Sequence, residues 1–511
     1  MHKKGKVYLI GAGPGDPGLI TVKGLKCLGE ADVIIYDYLV SPELLRHARK
    51  DSRLLYVGKK GGEHSITQSE LNKLIVEEAA KGVVVARLKG GDPFIFGRGG
   101  EEAEVLAGAK IDFEIVPGVT SAIAVPAYAG IPLTHRTFTS TVCFVTGHED
   151  PNKEQTDIDW KGLSGIGTLV FLMGVKNLPS IIKNLVEGGK SPQTPAALIR
   201  WGTTPDQQTI TGTLEDIEKK AEEAGFRPPS IFVVGGVVSL RDVLGWFETK
   251  PLFGKGVVIT RPIEQAHDFI ELLAAEGARP IHFPTIKIEP PLYWTGLDEA
   301  IDNIELYSWL IFTSANGVRF FLRRLREKGR DIRDLKNIRI CSIGPATAAM
   351  LKKMGIHVEM VPNEYISEGV IKSFSGIDVR GKKILLPRAE IARDIIPEEL
   401  AKMGASVDVV TAYRTVQSGA KKSELQEHLD KGRVDVITFT SPSTVANFVH
   451  IMGKDFKLPE KVKIACIGPV TAAAAKKNGF RIDIMQNEYT IPGLVASIGE
   501  FFRSEKGGLF S

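Results

Sequence analysis

The sequence predicts an α/β protein made of successive lobes with parallel sheets, and three observations carry that reading. Short apolar or β-branched runs recur along the chain, each ending in a glycine-rich or polar cluster. Helical stretches separate them, the alternation that puts parallel strands in one sheet and helices on its faces. The second half also repeats itself. Phe312-Thr313-Ser314-Ala315 returns as Phe439-Thr440-Ser441-Pro442, and Ile343-Gly344-Pro345-Ala346-Thr347 as Ile467-Gly468-Pro469-Val470-Thr471. Asn363-Glu364-Tyr365 returns as Asn487-Glu488-Tyr489, sixteen residues past the threonine each time.

The 511 residues leave room for about three domains. Hydrophobic content of 43% and charged content of 25% are those of a soluble globular chain. A net charge of +4 is too slight to announce nucleic acid, yet it suits a small anionic substrate. Cys27, Cys143, Cys341 and Cys466 lie far apart with no CxxC pair. They fit reduced thiols, not disulfides or metal ligands. Met1-His2-Lys3-Lys4 leads straight into a strand, and no run approaches eighteen apolar residues. A cytoplasmic protein with no membrane partner is therefore expected.

Taken in order, Val7–Ile10 meets Gly11-Ala12-Gly13-Pro14-Gly15-Asp16-Pro17-Gly18. A dinucleotide fingerprint needs a third glycine where Asp16 stands. Pro14 and Pro17 remove N–H donors and delay the helix, and Asp16 repels phosphate. These residues exclude a nicotinamide cofactor and leave a loop for a less anionic ligand. A helix over 21–31 follows, then a strand over 32–36 ending on Asp37, and one over 53–57 ending on Gly58-Lys59-Lys60. Val83-Val84-Val85 feeds RLKGGDPFIFGRGGEE, Arg87 to Glu102. Its Gly90-Gly91 permits a tight turn close to a ligand, and Pro93 stops the ladder. Strand 113–116 leads to Pro117-Gly118-Val119-Thr120-Ser121-Ala122, where Thr120 or Ser121 caps the next helix. Strands 142–145 and 169–172 end on Thr146-Gly147-His148 and Met173-Gly174.

Parallel strands would gather all these ends on one rim, where open α/β sheets bind ligands. That rim offers a carboxylate (Asp37), an ammonium (Lys59), bare glycine backbone and the cations Arg87, Lys89, Arg98 and Arg136. No serine–histidine–acid or metal-ligand spacing is present; His135 and His148 read as structural or solvated.

At these residues the chain resembles a known family. Residues 5–248 are similar to uroporphyrinogen-III C-methyltransferase through GAGPGDPGLIT, ADVIIYDYLV, VGKKGGEHS, RLKGGDPFIFGRGGEE, VPGVTSA, YAGIPLTHR, TGH, FLMG and VVSLRDVLGWF. The GGDP loop alone marks the wider tetrapyrrole methylase class; VGK, GRGGEE and YAGIPLTHR narrow it. The resemblance implies two α/β lobes with the site in their cleft, a homodimer, and S-adenosyl-L-methionine as methyl donor, leaving S-adenosyl-L-homocysteine. By motif, the donor's contacts fall on Pro14, Gly90, Gly91, Asp92, Ile95, Thr120, Ser121, Met173 and Gly202 in RWGTT. Ser121 is a mild departure, since TAA is familiar at that motif. The proton acceptor maps to Asp37 and the proton donor to Lys59. Arg98, Arg136 and Arg87 would face the eight carboxylates of uroporphyrinogen III.

Trp246–Gly256, WFETKPLFGKG, interrupts the periodicity and marks a boundary, with 1–248 before a linker at 249–255. Beyond it, Ser314, Ser441, Thr347 and Thr471 each end a strand and open a helix. All four are expected to cap helices whose remaining N–H groups form anion sites. Ile288–Leu292 and Ala412–Val416 read as crossings between a lobe of 256–288 with 417–503 and a lobe of 292–412. Tyr413, on the second crossing, either points into the cleft or packs in the core with its hydroxyl satisfied. The tail at 504–511 reads as frayed.

Residues 254–503 resemble uroporphyrinogen-III synthase through ITRP, FTSANGV, IGPATA, LPRA, AYRT, FTSPSTV and IGPVTA. That resemblance implies a two-lobed domain with parallel sheets flanked by helices and cofactor-free closure of hydroxymethylbilane, with dehydration and inversion of its last pyrrole ring. Tyr413 would help hydroxide leave, by donating a proton or through an oriented water. Ser314, Thr347, Ser441 and Thr471 would hold substrate carboxylates through main-chain N–H groups. The two resemblances together imply a fused, metal-free enzyme making precorrin-2 on a route to sirohaem or cobalamin. The alternative is a methyltransferase of another tetrapyrrole joined to a non-catalytic anion-binding module.

Overall fold

Strand-forming runs of this sequence pair into four five-stranded sheets. The structure, a computed structural model, describes residues 5–58, 66–147, 156–486 and 488–507. Two compact units result, one built on the chain up to Lys255 and one on Gly256–Leu272 with Pro280–Phe501; the stretch Leu273–Arg279 groups with the first.

In the first unit, β1 (Lys6–Gly11), β2 (Val33–Tyr36), β3 (Arg53–Tyr56), β4 (Val84–Lys89) and β5 (Asp112–Val116) form a sheet in the order β3-β2-β4-β1-β5. Every pairing in it is parallel. Burial along β1, β2 and β4 is nearly continuous, as it must be for strands covered on both faces. Leu28, Ile34 and Ala86 fill one face and Ile35, Leu71, Ile75 and Leu106 the other. The C-terminal ends of these five strands therefore share one edge.

The second sheet corrects the picture of a single rim. β6 (Val142–Thr146) and β7 (Thr168–Leu172) run parallel. β8 (Pro195–Arg200) and β9 (Gln208–Thr213) form a hairpin, and β10 (Ser230–Val234) lies antiparallel between β7 and β8. A hairpin returns without a crossover helix, so this half of the sheet alternates direction. The ends of β6 and β7 thus form a second edge. The helix Ser121–Tyr128 starts at the PGVT turn after β5, yet its Ala122 and Val125 pack with Val170, Leu172, Ile199 and Val233 of the second sheet.

In the second unit, β11 (Gly256–Ile259), β12 (Arg279–His282), β13 (Ile286–Glu289), β14 (Trp309–Phe312), β15 (Arg339–Ser342), β16 (Lys383–Ala389), β17 (Ser406–Gln417), β18 (Val436–Phe439), β19 (Lys463–Cys466) and β20 (Ile484–Met485) form two sheets. Their orders are β12-β11-β18-β19-β20 and β13-β17-β16-β14-β15. From β11 to β20 through β18 and β19 the pairing is parallel, and so is β15-β14-β16-β17. β13 is the antiparallel edge, pairing Ile286 with Gln417 and Glu289 with Arg414. The two crossings between lobes are thus a single paired ribbon.

Candidate active sites

Glycine lets three strand ends of the first sheet touch. Gly91 donates to the Gly13 carbonyl at 2.7 Å and Gly13 to the Gly91 carbonyl at 3.2 Å. A Cβ on Gly118 would stand 2.4 Å from the Gly91 oxygen and 2.6 Å from the Gly11 Cα. Gly91 itself has φ +71°, with the Ser121 nitrogen 3.7 Å from where its Cβ would be. Asp92 braces the turn. Its Oδ1 accepts from Phe94 N (2.8 Å) and Ile95 N (3.2 Å), and its Oδ2 from Gly118 N (2.9 Å). Of the two possible caps, Thr120 is the one used, accepting from Ala122 N at 3.3 Å.

Loops of the second sheet meet these turns. Asp16 N donates to Thr203 Oγ1 at 3.1 Å, and a Cβ on Gly15 would lie 2.6 Å from Thr204 Cγ2. Gly202 lies against Val125 of the helix Ser121–Tyr128. Met173 is half-exposed beside Gly174, whose Cα would be 2.2 Å from a Cβ on Gly147. Among the described residues, seven non-glycine residues have positive φ, and Phe96, Arg98, Met173, Trp201 and Thr203 all sit in these loops. Strained backbone of this kind clusters at active sites and ligand clamps. Pro14, Gly90, Gly91, Asp92 and Ile95 therefore lie on the first-sheet turns, Thr120 and Ser121 at the helix start that Gly202 approaches, and Met173 on the turn after β7, beside the end of β6.

The charges are arranged less freely than the motifs suggest. Arg87 does not face outward as a rim cation. It is buried, its Nη2 3.2 Å from Asp37 Oδ2, its Nη1 donating to the Leu88 carbonyl at 3.0 Å and its Nε 3.4 Å from Glu102 Oε1. Lys89 is buried as well, 2.6 Å from the same Glu102 oxygen, and burial with Arg87 beside it pulls its ammonium below the ordinary lysine range. The alternation of β4 turns both cations inward, where only a carboxylate makes burial tolerable. Asp37 Oδ1 accepts from Leu39 N at 3.1 Å. A Cβ on Gly58 would come 2.8 Å from Tyr38 N, so the end of β3 adjoins the Asp37 loop. Lys59 and His148 lie outside the described residues. Arg98 is paired with Glu101 at 2.8 Å, Arg136 is exposed, and His135 closes a turn, its Nδ1 accepting from Thr137 N at 3.2 Å.

In the second unit, Ser314 and Ser441 cap helices as expected. Ser314 Oγ accepts from Gly317 N at 3.1 Å and Ser441 Oγ from Thr444 N at 3.3 Å. Thr347 and Thr471 do not cap. Gly344 and Gly468 are the N-caps of Pro345–Lys353 and Pro469–Lys477, with no side-chain cap bond, and both threonines are buried at the third helical position. Proline favours the first helical position, so each helix starts three residues earlier than a capping hydroxyl would place it. Tyr365 and Tyr489, the repeated tyrosines, lie beside Gly344 and Gly468.

Tyr413 is a core residue with an engaged hydroxyl. Its ring stacks on Phe320 at 5.9 Å, it is 7% exposed, and its hydroxyl shares a 2.9 Å hydrogen bond with Ser314 Oγ. Burial pushes the phenol above its usual value. The hydroxyl nevertheless sits where the lobes meet, because the neighbouring Asn316 Oδ1 accepts from Gln265 Nε2 of the other lobe at 3.0 Å.

Residues 6–218 match the family model for tetrapyrrole (corrin/porphyrin) methylases, and residues 267–496 that for uroporphyrinogen-III synthase HemD. A porphyrin biosynthesis protein HemD from Ruminiclostridium josui is 38% identical over 497 residues, covering 97% of this chain and 98% of that protein. The chain belongs to this HemD family. A uroporphyrinogen-III C-methyltransferase of Bacillus subtilis is 42% identical over 363 residues, 71% of this chain and 74% of its own. An S-adenosyl-L-methionine-dependent uroporphyrinogen III methyltransferase of Methanosarcina barkeri is 53% identical over 242 residues, 47% of this chain and 95% of its own. This HemD-family chain therefore joins a methylase domain to a synthase domain.

The loops of the methylase domain fit a sulfonium nucleoside. They present glycine backbone and half-exposed Ile95 and Met173, and among the described residues the cations of β4, Arg87 and Lys89, are taken up by Asp37 and Glu102. Sequence reasoning missed Glu102 as the anion of the buried network, and Gln265 and Asn316 at the lobe junction. Arg87 and Lys89 at alternate positions of an apolar strand were the only signal for the first; Gln265 and Asn316 gave none.

Proposed function

We propose that this HemD-family protein is bifunctional. Its synthase domain closes and dehydrates hydroxymethylbilane to uroporphyrinogen III, inverting the last pyrrole ring. Its methylase domain transfers two methyl groups from S-adenosyl-L-methionine to that product, giving precorrin-2. The convergence of the Pro14, Gly90–Asp92, Thr120–Ser121 and Gly202 segments, with Asp37 on the adjoining loop, carries the reading.

Bound S-adenosyl-L-methionine supplies an electrophilic methyl group. Backbone at Gly90 and Gly91, the walls at Ile95 and Met173, and the Pro14, Thr120, Ser121 and Gly202 turns would hold it, with Asp92 keeping the turn in shape. Alignment of the two reactants is the main source of rate. Asp37 takes the proton released from the methylated carbon. Arg87, bound to Oδ2, orients it for that task. Lys59 is the proton donor, and Arg98 and Arg136 meet substrate carboxylates.

In the synthase domain, main-chain N–H groups at the helix starts beside Ser314, Thr347, Ser441 and Thr471 hold the substrate carboxylates. The Tyr413 hydroxyl, presented by Ser314, assists departure of the hydroxyl group as water. We further propose a homodimer formed through the methylase half, acting in the cytoplasm without metal, membrane or nucleic acid; no described helix is long and apolar enough to cross a membrane.

One incubation with hydroxymethylbilane tests both activities. Without the methyl donor the product should be uroporphyrinogen III, and with it precorrin-2. Uroporphyrinogen I, the spontaneous product, as the sole outcome would remove the synthase assignment. Unmethylated uroporphyrinogen III in the presence of donor would remove the methyltransferase.

A further inference from the structure

Arg261 follows β11, on the strand-end edge that also carries Ser441. The register that pairs Ile259 with Thr438 puts Arg261 level with Thr440 on the neighbouring strand end. Its main-chain carbonyl contacts His282 Nε2 at 3.0 Å, which fixes the backbone. Its guanidinium is partly buried, and among the described residues its one side-chain hydrogen bond goes to Gln265 Oε1, at 3.1 Å from Nη2. Gln265 in turn donates to Asn316 across the lobe junction, and Asn316 neighbours the Tyr413 hydroxyl.

A guanidinium has five N–H donors in a fixed fork, and one glutamine oxygen uses little of that capacity. Burial without an ion-paired acid disfavours the charge: desolvation lowers Arg261 below the usual arginine value, and the charge of Asp268 offsets only part of it. Two other partly buried arginines of this unit, by contrast, are ion-paired, Arg324 with Asp298 and Arg414 with Glu289. A carboxylate arriving at Arg261 would replace the lost hydration with two parallel charge-assisted bonds.

We propose that Arg261 is a substrate-binding residue of the synthase site, receiving one carboxylate of the linear tetrapyrrole at the lobe junction. Gln265 holds the guanidinium in place and ties its position to the other lobe through Asn316. The inference rests on the synthase reading above, and the two can fail separately.

The test uses the full chain. Wild type is first shown to convert hydroxymethylbilane to uroporphyrinogen III; if it does not, the synthase reading itself falls. Arg261→Gln and Arg261→Lys are then compared by KM and kcat for ring closure, with circular dichroism and the thermal melt of each full-length variant as the check on folding. R261Q should raise KM about tenfold or more, the loss expected for a charge-assisted pair. R261K, which keeps the charge but loses the fork, should raise it less, and kcat should change little in both. A KM unchanged from wild type in R261Q overturns the proposal, whatever happens to kcat. If R261Q does not fold, an unchanged KM in R261K does so.

Discussion

Asp92 accepts three main-chain hydrogen bonds, two from its own turn and one from Gly118. Its carboxylate is thereby committed to holding two loops together. Asp92→Ala should leave those donors without their partner, costing about 1–3 kcal/mol of stability. Binding of S-adenosyl-L-methionine, measured by calorimetry, should weaken with it. Full affinity in a less stable variant would show that the loop geometry does not govern the donor site. At Tyr413 the stacked ring and the hydroxyl can be separated. Tyr413→Phe keeps the Phe320 contact and Ser314 still caps its helix, so stability should fall by only about 1 kcal/mol. Synthase turnover should fall without vanishing. Turnover equal to wild type would take the hydroxyl out of the chemistry.

Elements were legible where local pattern decides them. Continuous apolar runs marked β1, β2 and β4, and Thr21 accepts from Gly24 N at 3.0 Å to open its helix where the motif placed it. Direction within a sheet is not written in such runs, and so the antiparallel β8–β10 half of the second sheet was not foreseen. Thr347 and Thr471 were misassigned because a repeated hydroxyl draws attention, although the Gly-Pro pair before each one is what starts the helix. Arg87 and Lys89 were recognised as charges on the right strand, but the side of the sheet they face depends on Glu102, fifteen and thirteen residues away. The donor-site turns were legible because glycine spacing reports close backbone approach. Gly118→Ala tests that approach: the added Cβ would meet the backbone of Gly91 and Gly11, not a side chain able to swing away. It should cost about 1–3 kcal/mol by overpacking, read as a lower melting midpoint. It should also impair methylation while ring closure persists. At the repeated helix starts, Ser441→Ala should cost about 1 kcal/mol in chemical denaturation through loss of the cap.

At the scale of the whole molecule, the two units have separate sheets and separate hydrophobic clusters, and no residue is asked to serve both reactions. Chemistry in one should therefore be removable without loss of the other. Asp37→Asn keeps the size of the side chain but removes the charge opposite Arg87, leaving a buried guanidinium poorly compensated. Methylation should fall at least a hundredfold, the lower range for a positioned general base. Hydroxymethylbilane supplied with the methyl donor should then accumulate as uroporphyrinogen III at the wild-type rate of ring closure. A circular dichroism spectrum and melting profile matching wild type then separate a missing proton acceptor from a collapsed methylase domain, which ring closure by the other unit would not reveal. If D37N instead yields precorrin-2 at an undiminished rate, Asp37 serves only to neutralise Arg87, and the proton leaves by another route.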